Sequence, residues 1–331
     1  MSLSPESFTF VADLVRRRSA IQLTPGKEYL VESRLLPLAR EAGVDIDAFV
    51  DRLRAQPASP AVTAVVEAMT TNETSWFRDG APYQALRTVE LPRLVAARRG
   101  VGRLRVWSAA CSTGQEPYSL AMCLSEDLPP AMGAEIVATD LSEQVLARAR
   151  AGRYSQLEVN RGMPAQMLVQ HLRRVGTEWE IAESLRRMIS FRAHNLLDAP
   201  PPGPYDVVFL RNVLIYFDPP TKRAILDRVL RVLKPDGVLF LGAAETTLGV
   251  HDGYERVTIE RTSVYRPQGA SVVAPLPTAS SSARPSLQAT GTDGVRPPGF
   301  AARTAPAAPA AATARSFPLT RNSPLSGGPT R

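Results

Sequence analysis

The chain has 331 residues, of which 44% are hydrophobic, so it is long enough for two domains with a sizeable core. Its longest apolar candidate, residues 207–217, is interrupted by Arg211 and Asn212, so we expect no membrane insertion. The N-terminus lacks the charged-then-apolar layout of a signal peptide, and the two cysteines make neither a disulfide framework nor a metal site. These features predict a cytoplasmic protein with reduced thiols at Cys111 and Cys123 and no bound metal.

The formal net charge of +7 is concentrated in the last part of the chain. Residues 267–331 carry six arginines against Asp293 alone, so this tail holds +5 and the rest only +2. The rest of the chain carries too little net positive charge for a nucleic-acid-binding domain, so we expect no nucleic-acid partner. The tail is rich in Pro, Ala, Ser and Thr without apolar periodicity, which predicts disorder.

Residues 1–78 are predicted to form an all-helical region. Thr24 offers an N-cap and Pro25 a first helical position, and the apolar stripe that follows ends at Gly43. That stripe consists of Val31, Leu35, Leu38 and Ala42. Short helices are predicted over residues 45–53 and 61–69. The basic residues that this region carries include Arg16, Arg17, Arg18, Lys27, Arg34 and Arg40. Their side chains form either a solvated face or a docking face for an acidic helix.

Residues 70–79, TTNETSWFRD, join the helical region to the part that follows. A linker has no need of two adjacent aromatic residues, Trp76 and Phe77. A lid over a cleft between domains does need them, and the segment is predicted to be such a lid. A helix over residues 82–99 then leads into the first predicted strand.

The centre of the chain is residues 104–121, LRVWSAACSTGQEPYSLA, which predict a buried strand, a turn of small residues and a helix N-terminus. A second predicted strand, residues 134–139, ends in Asp140. That acid follows Gly114 at about the spacing of a ribose-binding carboxylate in nucleotide-binding βαβ units. The stretch therefore indicates a nucleoside-binding α/β domain.

The composition of the turn narrows the choice of ligand. A dinucleotide site needs several glycines, because the backbone approaches a pyrophosphate closely, whereas Gly114 stands alone and Glu116 follows it. A carboxylate there repels pyrophosphate and suits a cofactor that carries positive charge, such as S-adenosylmethionine. Alternatively, Glu116 merely complements the helix N-terminus.

After Asp140 the pattern predicts a helix to Gly152, an inserted region over residues 153–194, and then a central strand over residues 205–210. Short strands at residues 179–181 and 188–191 are assigned to the insertion. The central strand is followed by Arg211, Asn212 and Tyr216, and ligands bind beyond such strand ends. Turn chemistry and packing are the alternative roles for Asn212 and Tyr216. A helix from residue 218, a strand over 238–241 and a hairpin over 254–266 complete a Rossmann-like layout.

Four stretches, in this order and spacing, resemble the chemotaxis protein-glutamate O-methyltransferases, the CheR family. They are residues 23–35 with Arg34-Leu35, residues 70–79, residues 107–121 and residues 211–217, RNVLIYF. The resemblance spans about residues 5–266. It implies an α/β fold with a Rossmann-like methyltransferase sheet at residues 79–266. An all-helical domain at residues 1–78 precedes it, a small β-subdomain is inserted at about 153–194, and the tail is residues 267–331.

The resemblance implies a site for S-adenosylmethionine and its product S-adenosylhomocysteine. The positions that match the family's donor contacts are Asn72, Thr74, Arg78, Glu116, Asp140, Asn195, Leu196, Arg211 and Asn212. Tyr216 matches a tyrosine beside the transfer site, and Arg78 and Tyr216 are expected to position the reactants. The chain departs from the family at Gln115 and at residues 243–245, Ala-Ala-Glu in place of a frequent His-Ser-Glu. The second departure makes it questionable whether that loop contacts the methyl donor or the substrate, but it does not change the expected fold.

Three functions are compatible with these residues: a protein carboxyl methyltransferase, a methyltransferase of another acceptor, and a non-catalytic donor-binding scaffold. Retention of both Glu116 and Asp140 disfavours the scaffold. The resemblance implies a monomer that methylates glutamates in the cytoplasmic region of methyl-accepting chemoreceptors. A glutamate, with a pKa of about 4.3, is already ionised at neutral pH, so the reaction needs no general base. The three histidines accordingly form no catalytic constellation: His171, His194 and His251.

Overall fold

The computed structural model describes residues 3–99 and 102–269. Within these residues no helix is both long enough and apolar enough to cross a membrane. The tail predicted to be disordered lies outside the described residues from residue 270 onward. Its predicted first residue, Pro267, still pairs with Tyr254 in the last hairpin of the sheet, so ordered structure continues past the predicted boundary.

The first part of the chain is helical, as predicted: α1 (Pro5–Ser19), α2 (Glu28–Glu41), α3 (Ile46–Ala55) and α4 (Pro60–Ala68). These helices enclose their own apolar core, in which Val15, Val31 and Val65 are fully buried. Asp45 caps α3 by accepting a hydrogen bond from the Ala48 amide at 2.8 Å. The helical prediction for this region is therefore confirmed.

The predicted start of α2 is wrong by three residues. Gly26 adopts φ +91°, which takes the backbone out of the helical region, so α2 begins at Glu28 and Thr24 caps nothing. The stripe is confirmed at Val31 and Leu35, whereas its inner end is Ala39 instead of Ala42.

The remaining elements follow in chain order: α5 (Ala81–Ala85), a π-helical turn (Leu86–Glu90), α6 (Leu91–Ala97), β1 (Arg103–Ala109), α7 (Gln115–Asp127), β2 (Gly133–Asp140), α8 (Glu143–Ala151), β3 (Arg153–Ser155), α9 (Gln156–Asn160), α10 (Ala165–His171), β4 (Leu172–Val175), β5 (Glu178–Ile181), α11 (Glu183–Arg186), β6 (Ile189–Ala193), β7 (Tyr205–Leu210), a 3₁₀ turn (Leu214–Tyr216), α12 (Pro219–Val232), β8 (Leu233–Leu241), β9 (Tyr254–Ile259) and β10 (Thr262–Pro267).

Seven strands form the main sheet in the order β6-β2-β1-β7-β8-β10-β9. The five strands from β6 to β8 run parallel, and the hairpin of β9 and β10 adds two antiparallel strands at one edge. β7 lies at the centre and all of its residues are buried, as its apolar run predicts. The α/β Rossmann-like fold class is confirmed.

Alternate residues along the strands feed two separate apolar cores, one on each face of the sheet. Val207 and Phe209 of β7 belong to one core, and Val208 and Leu210 belong to the other. A sheet covered on both faces is open to ligands only at its strand ends. The carboxyl ends of β1, β2 and β7 lie together at one edge.

The inserted region contains a three-stranded antiparallel sheet in the order β3-β5-β4. The predicted strand over residues 188–191 does not belong to it. β6 instead pairs in parallel with β2, with Ile189 opposite Ile136, and forms an edge of the main sheet. Ile189 is buried there in the same core as Leu185 of α11.

Candidate functional site

A cavity of about 910 Å³, including its open mouth, lies between the helical region and the carboxyl ends of β1, β2 and β7. The structure brings every residue predicted for the site to its wall: Asn72, Thr74, Arg78, Glu116, Asp140, Asn195, Leu196, Arg211, Asn212 and Tyr216. These residues come from five separate stretches of the chain. Their individual roles stay predictions.

The turn after β1 forms the floor of the cavity. Ala110 and Ser112 both have positive φ, 59° and 51°, an unusual backbone for non-glycine residues that concentrates at functional sites. Gly114 has φ +96°, and a Cβ at this position would lie 2.9 Å from the Ala149 Cβ and the Tyr154 hydroxyl. The lone glycine is therefore explained by close packing of the turn against α8.

Asp140 ends β2 and is only 7% exposed. Its two carboxylate oxygens accept hydrogen bonds from the Ser112 amide at 2.8 Å and the Ser142 amide at 3.1 Å. Burial raises the pKa of this carboxyl, and the two amides oppose that shift. A carboxylate can accept about four hydrogen bonds, so Asp140 retains capacity for ligand hydroxyls.

Glu116 points from the first turn of α7 toward the same cavity. Its carboxylate accepts a hydrogen bond from the Ser108 hydroxyl at 2.7 Å and lies 3.5 Å from the Arg211 guanidinium. Burial raises the pKa of Glu116, and Arg211 opposes the shift as the largest counteracting contribution. The residue therefore does more than complement the helix N-terminus, because it is a buried acid in the cavity wall.

Arg211 is the buried cation of the site, with its side chain 1% exposed. It donates to the Asp79 carboxylate at 2.6 Å and to the Arg78 carbonyl at 3.0 Å. The end of β7 is thereby tied to the segment that follows the helical region. Asp79 and Glu116 flank the guanidinium, which stabilises it in a site remote from water.

The segment of residues 70–79 runs along the cavity, and its function as a lid stays a prediction. The Ser112 hydroxyl donates to the Asn72 carbonyl at 2.8 Å, and the Trp76 amide donates to the Arg161 carbonyl at 3.0 Å. Trp76 is 1% exposed and belongs to the sheet core, so the aromatic pair anchors the segment. A Cβ at Gly162 would collide with the Trp76 carbonyl oxygen, so the inserted region packs directly against the segment of residues 70–79.

Helix α1 and the loop after β6 form another part of the cavity wall. Ser19 and Ile21 line it from the helical region. The Asn195 side-chain amide donates to the Arg18 carbonyl at 2.7 Å, and the Gln22 amide donates to the Tyr216 carbonyl at 3.3 Å.

Sequence reasoning missed three residues that organise this site. Glu67 of α4 accepts from the Ser142 hydroxyl at 3.2 Å and the Glu143 amide at 3.1 Å, beside Asp140. Ser112 and Asp79 lie in two of the stretches that carry the family resemblance, residues 107–121 and 70–79. Their hydrogen-bond partners are distant in the chain and were not predictable from the sequence. Glu67 stands in a plain amphipathic helix and no sequence signal marks it.

One basic residue of the predicted docking face has an internal function. Arg34 donates to the Thr70 carbonyl at 2.9 Å and the Ala68 carbonyl at 3.3 Å, at the end of α4. It therefore holds the start of the segment of residues 70–79, which corrects its assignment to the docking face.

Across residues 3–99 and 102–269, no cluster of His, Cys, Asp and Glu side chains suits a metal ion. Both thiols are buried and free, and burial raises the pKa of Cys123 to about 12. The three histidines lie apart, with partners Glu126, Ala199 and Asp227 respectively.

The side chains that line the cavity fit a nucleoside ligand that carries a positively charged group. Glu116 and Asp140 are two buried acids in one cavity, and burial disfavours the charged form of each. A cationic ligand would compensate for that penalty, whereas a pyrophosphate would increase it. An α/β fold with two buried acids at the carboxyl ends of its strands is the arrangement expected of an S-adenosylmethionine-dependent methyltransferase.

Comparison with known proteins gives the family. The model of the CheR methyltransferase SAM binding domain matches residues 72–263, and that of the CheR methyltransferase all-alpha domain matches residues 6–70. A chemotaxis protein methyltransferase of Pseudomonas putida is 41% identical over 260 residues, which cover 76% of this chain and 94% of the relative. One from Pseudomonas aeruginosa is also 41% identical, with 80% and 99% covered, and one from Escherichia coli is 36% identical, with 74% and 86% covered.

The chain belongs to the CheR methyltransferase family. The family resemblance stated from four sequence stretches is thus confirmed, and so is S-adenosylmethionine as the cofactor.

Proposed function

We propose that the chain transfers a methyl group from S-adenosylmethionine to glutamate side-chain carboxylates of chemoreceptors. The products are a glutamate methyl ester and S-adenosylhomocysteine. The observation that carries the proposal is the meeting of two buried acids, Glu116 and Asp140, in the cavity of a CheR-family chain. Relatives matched over 94% and 99% of their own length are named chemotaxis protein methyltransferases, which supports a chemoreceptor as the acceptor.

The donor lies along the cavity in this proposal. Asp140 accepts hydrogen bonds from the ribose, and Glu116 faces positive charge on the donor. The remaining contacts come from Asn72, Thr74, Arg78, Asn195, Leu196, Arg211 and Asn212. Their positions on one cavity wall support these assignments.

When bound, S-adenosylmethionine would supply a methyl group on a sulfonium: a carboxylate oxygen bonds to the methyl carbon while the carbon–sulfur bond breaks, and S-adenosylhomocysteine is the leaving group. The acceptor glutamate is ionised at neutral pH because its pKa is about 4.3, so the chain need not remove a proton. Its contribution is alignment, and well-oriented reactants gain roughly 7–11 kcal/mol of barrier reduction. Arg78 and Tyr216, both at the cavity wall, serve as positioning groups.

The acceptor reaches the cavity past the end of α1. Arg16, Arg17 and Arg18 are exposed there, and Ser19, the next residue, lines the cavity. These cations steer an acidic receptor helix toward the mouth, over distances limited by a Debye length of about 8 Å at physiological salt. The enzyme acts as a cytoplasmic monomer on the cytoplasmic region of the receptor, with domains at residues 1–78 and 79–266.

The central experiment incubates the purified chain with donor carrying a labelled methyl group and with membranes rich in chemoreceptor. We expect label on a receptor-sized band and its release as methanol by mild base, since the product is an ester. Receptor whose methylated glutamates are replaced by alanine serves as the control. Base-stable label would exclude a carboxylate acceptor, and no label on any receptor would overturn the proposal.

Charge reversal tests the docking face. Arg16→Glu with Arg17→Glu should raise the receptor KM about three- to tenfold, because each exposed charge pair contributes roughly 0.2–1 kcal/mol. Donor affinity should stay within about twofold, since neither side chain lines the cavity.

The matched control reverses Arg99 and Arg103, two exposed arginines near the start of β1 at the opposite edge of the sheet. An equal rise of KM in this control would show that only net charge matters. An unchanged KM in the Arg16 and Arg17 variant would contradict the docking face.

A further inference from the structure

The carboxylate of Glu245 accepts four backbone hydrogen bonds. One oxygen accepts from the Gly242 amide at 2.7 Å and the Asn212 amide at 2.8 Å. The other accepts from the Val213 amide at 2.9 Å and the Ile215 amide at 3.3 Å. Three of these four backbone amides belong to residues 211–216, the segment that follows β7.

That segment carries three residues of the proposed site, Arg211, Asn212 and Tyr216, and it has little regular structure of its own. Asn212 has φ +58°, so the backbone turns sharply at the strand end. Only one 3₁₀ turn follows within these described residues. Without Glu245, the amides of residues 212, 213 and 215 would lose their acceptor beside the cavity.

Glu245 itself lies outside the cavity lining and is 9% exposed. Gly242 permits the close approach: a Cβ there would lie 2.7 Å from a Glu245 carboxylate oxygen and 2.8 Å from the Asn212 amide. The carboxylate thus fills the gap between the carboxyl ends of β7 and β8, where the ladder between the two strands has ended.

We propose that Glu245 is a positioning residue: it holds residues 211–216 at the cavity wall and so sets donor affinity and transfer rate. The inference rests on the methyl transfer proposed above.

Glu245→Gln tests the proposal, because the amide group keeps one acceptor and turns a donor toward the other two amides. Titration with S-adenosylhomocysteine should show full stoichiometry and a Kd raised about fivefold. At saturating donor, methyl transfer per binding site should fall about tenfold or more, since small misplacements of reacting groups are costly. The receptor KM should not change. Glu255→Gln, at an exposed glutamate of β9, is the matched control and should behave as the parent.

A double-mutant cycle separates positioning from general stability. If Glu245 acts through the segment that carries Tyr216, the rate losses of Glu245→Gln and Tyr216→Phe should not add when combined. A merely structural role would lower the stoichiometry and leave the Kd and the rate per site unchanged. That result, or full additivity, would overturn the inference.

Two further measurements cover the case in which Glu245→Gln does not fold. Gly242→Ala keeps the carboxylate but crowds it, and should shift the Kd and the rate in the same direction. In the parent chain, the amides of residues 212, 213, 215 and 242 should be protected from hydrogen exchange, and rapid exchange would overturn the inference. The titration and exchange need no receptor, so failure of the proposed methyl transfer would be seen separately.

Discussion

Asp140→Asn is the sharpest test of the donor site. In the structure the Asp140 carboxylate bonds the Ser112 and Ser142 amides, and its remaining acceptor capacity faces the cavity. Alanine would leave both buried amides without an acceptor, and would confound binding with folding. Asparagine keeps the shape and one acceptor oxygen, so most of its effect falls on the ligand.

The expected magnitude follows from the bonds that change. Hydrogen bonds to a charged group contribute roughly 1.5–3 kcal/mol each, and a ribose offers two hydroxyls. Asparagine keeps one acceptor oxygen, so one of these two bonds is lost, which costs about 1.5–3 kcal/mol and corresponds to roughly a 10- to 150-fold weaker Kd. The backbone amide that meets the new amide donor costs about 1–2 kcal/mol of stability, so the Tm should fall by about 2–8 °C.

Calorimetric titration with S-adenosylhomocysteine at neutral pH measures the Kd and the stoichiometry, and a thermal melt measures the Tm. Asp252→Asn is the control, because Asp252 is exposed in the loop before β9 and is remote from the cavity lining. If Asp140→Asn binds the product as tightly as the parent at full stoichiometry, the assignment of Asp140 is refuted.

Two other predictions concern pH and the tail. Burial raises the pKa of Glu116 and of Asp140, and a cationic donor binds their ionised forms. Affinity for S-adenosylmethionine should therefore weaken as pH falls through those raised pKa values, and titrations from neutral pH down to about pH 4 that show a constant Kd would contradict this. Truncation after Gly269 should leave the Tm and the donor Kd unchanged, because the Gln268 amide still bonds the Gly253 carbonyl at 2.9 Å. A fall in Tm of more than about 4 °C would show that residues 270–331 pack against the fold.

The site was predictable to the extent that its residues follow strands. Asp140 and Arg211 come directly after apolar runs that predict parallel strands, and parallel strands place their carboxyl ends at one edge. Glu116 was marked by its place in the turn after β1. Glu67 and Glu245 were not predictable, because Glu67 accepts from the Glu143 amide and Glu245 from the amides of residues 212, 213 and 215, which lie 30 or more residues away in the chain.

Local sequence features, such as capping residues and apolar runs, determined where helices and strands form in this chain. Asp218 before two prolines predicts the start of α12, and the structure shows its carboxylate capping that helix through the Thr221 amide at 2.9 Å. The apolar run of β7 likewise predicts a fully buried strand, which the structure confirms. Such patterns are local because capping and burial periodicity involve residues a few positions apart.

The tertiary structure alone decided how the elements meet. β6 is a short strand, as are those of the inserted sheet, yet it joins the main sheet, where Ile189 pairs with Ile136 of β2, 53 residues earlier. Gly114 is needed not only for the positive φ of its own turn but also because Ala149 of α8 leaves no room for a Cβ at this position. Arg211 finds Asp79 across 132 residues of chain. Pairing partners at such separations depend on which surfaces the folded chain brings together, and a linear pattern carries no record of them.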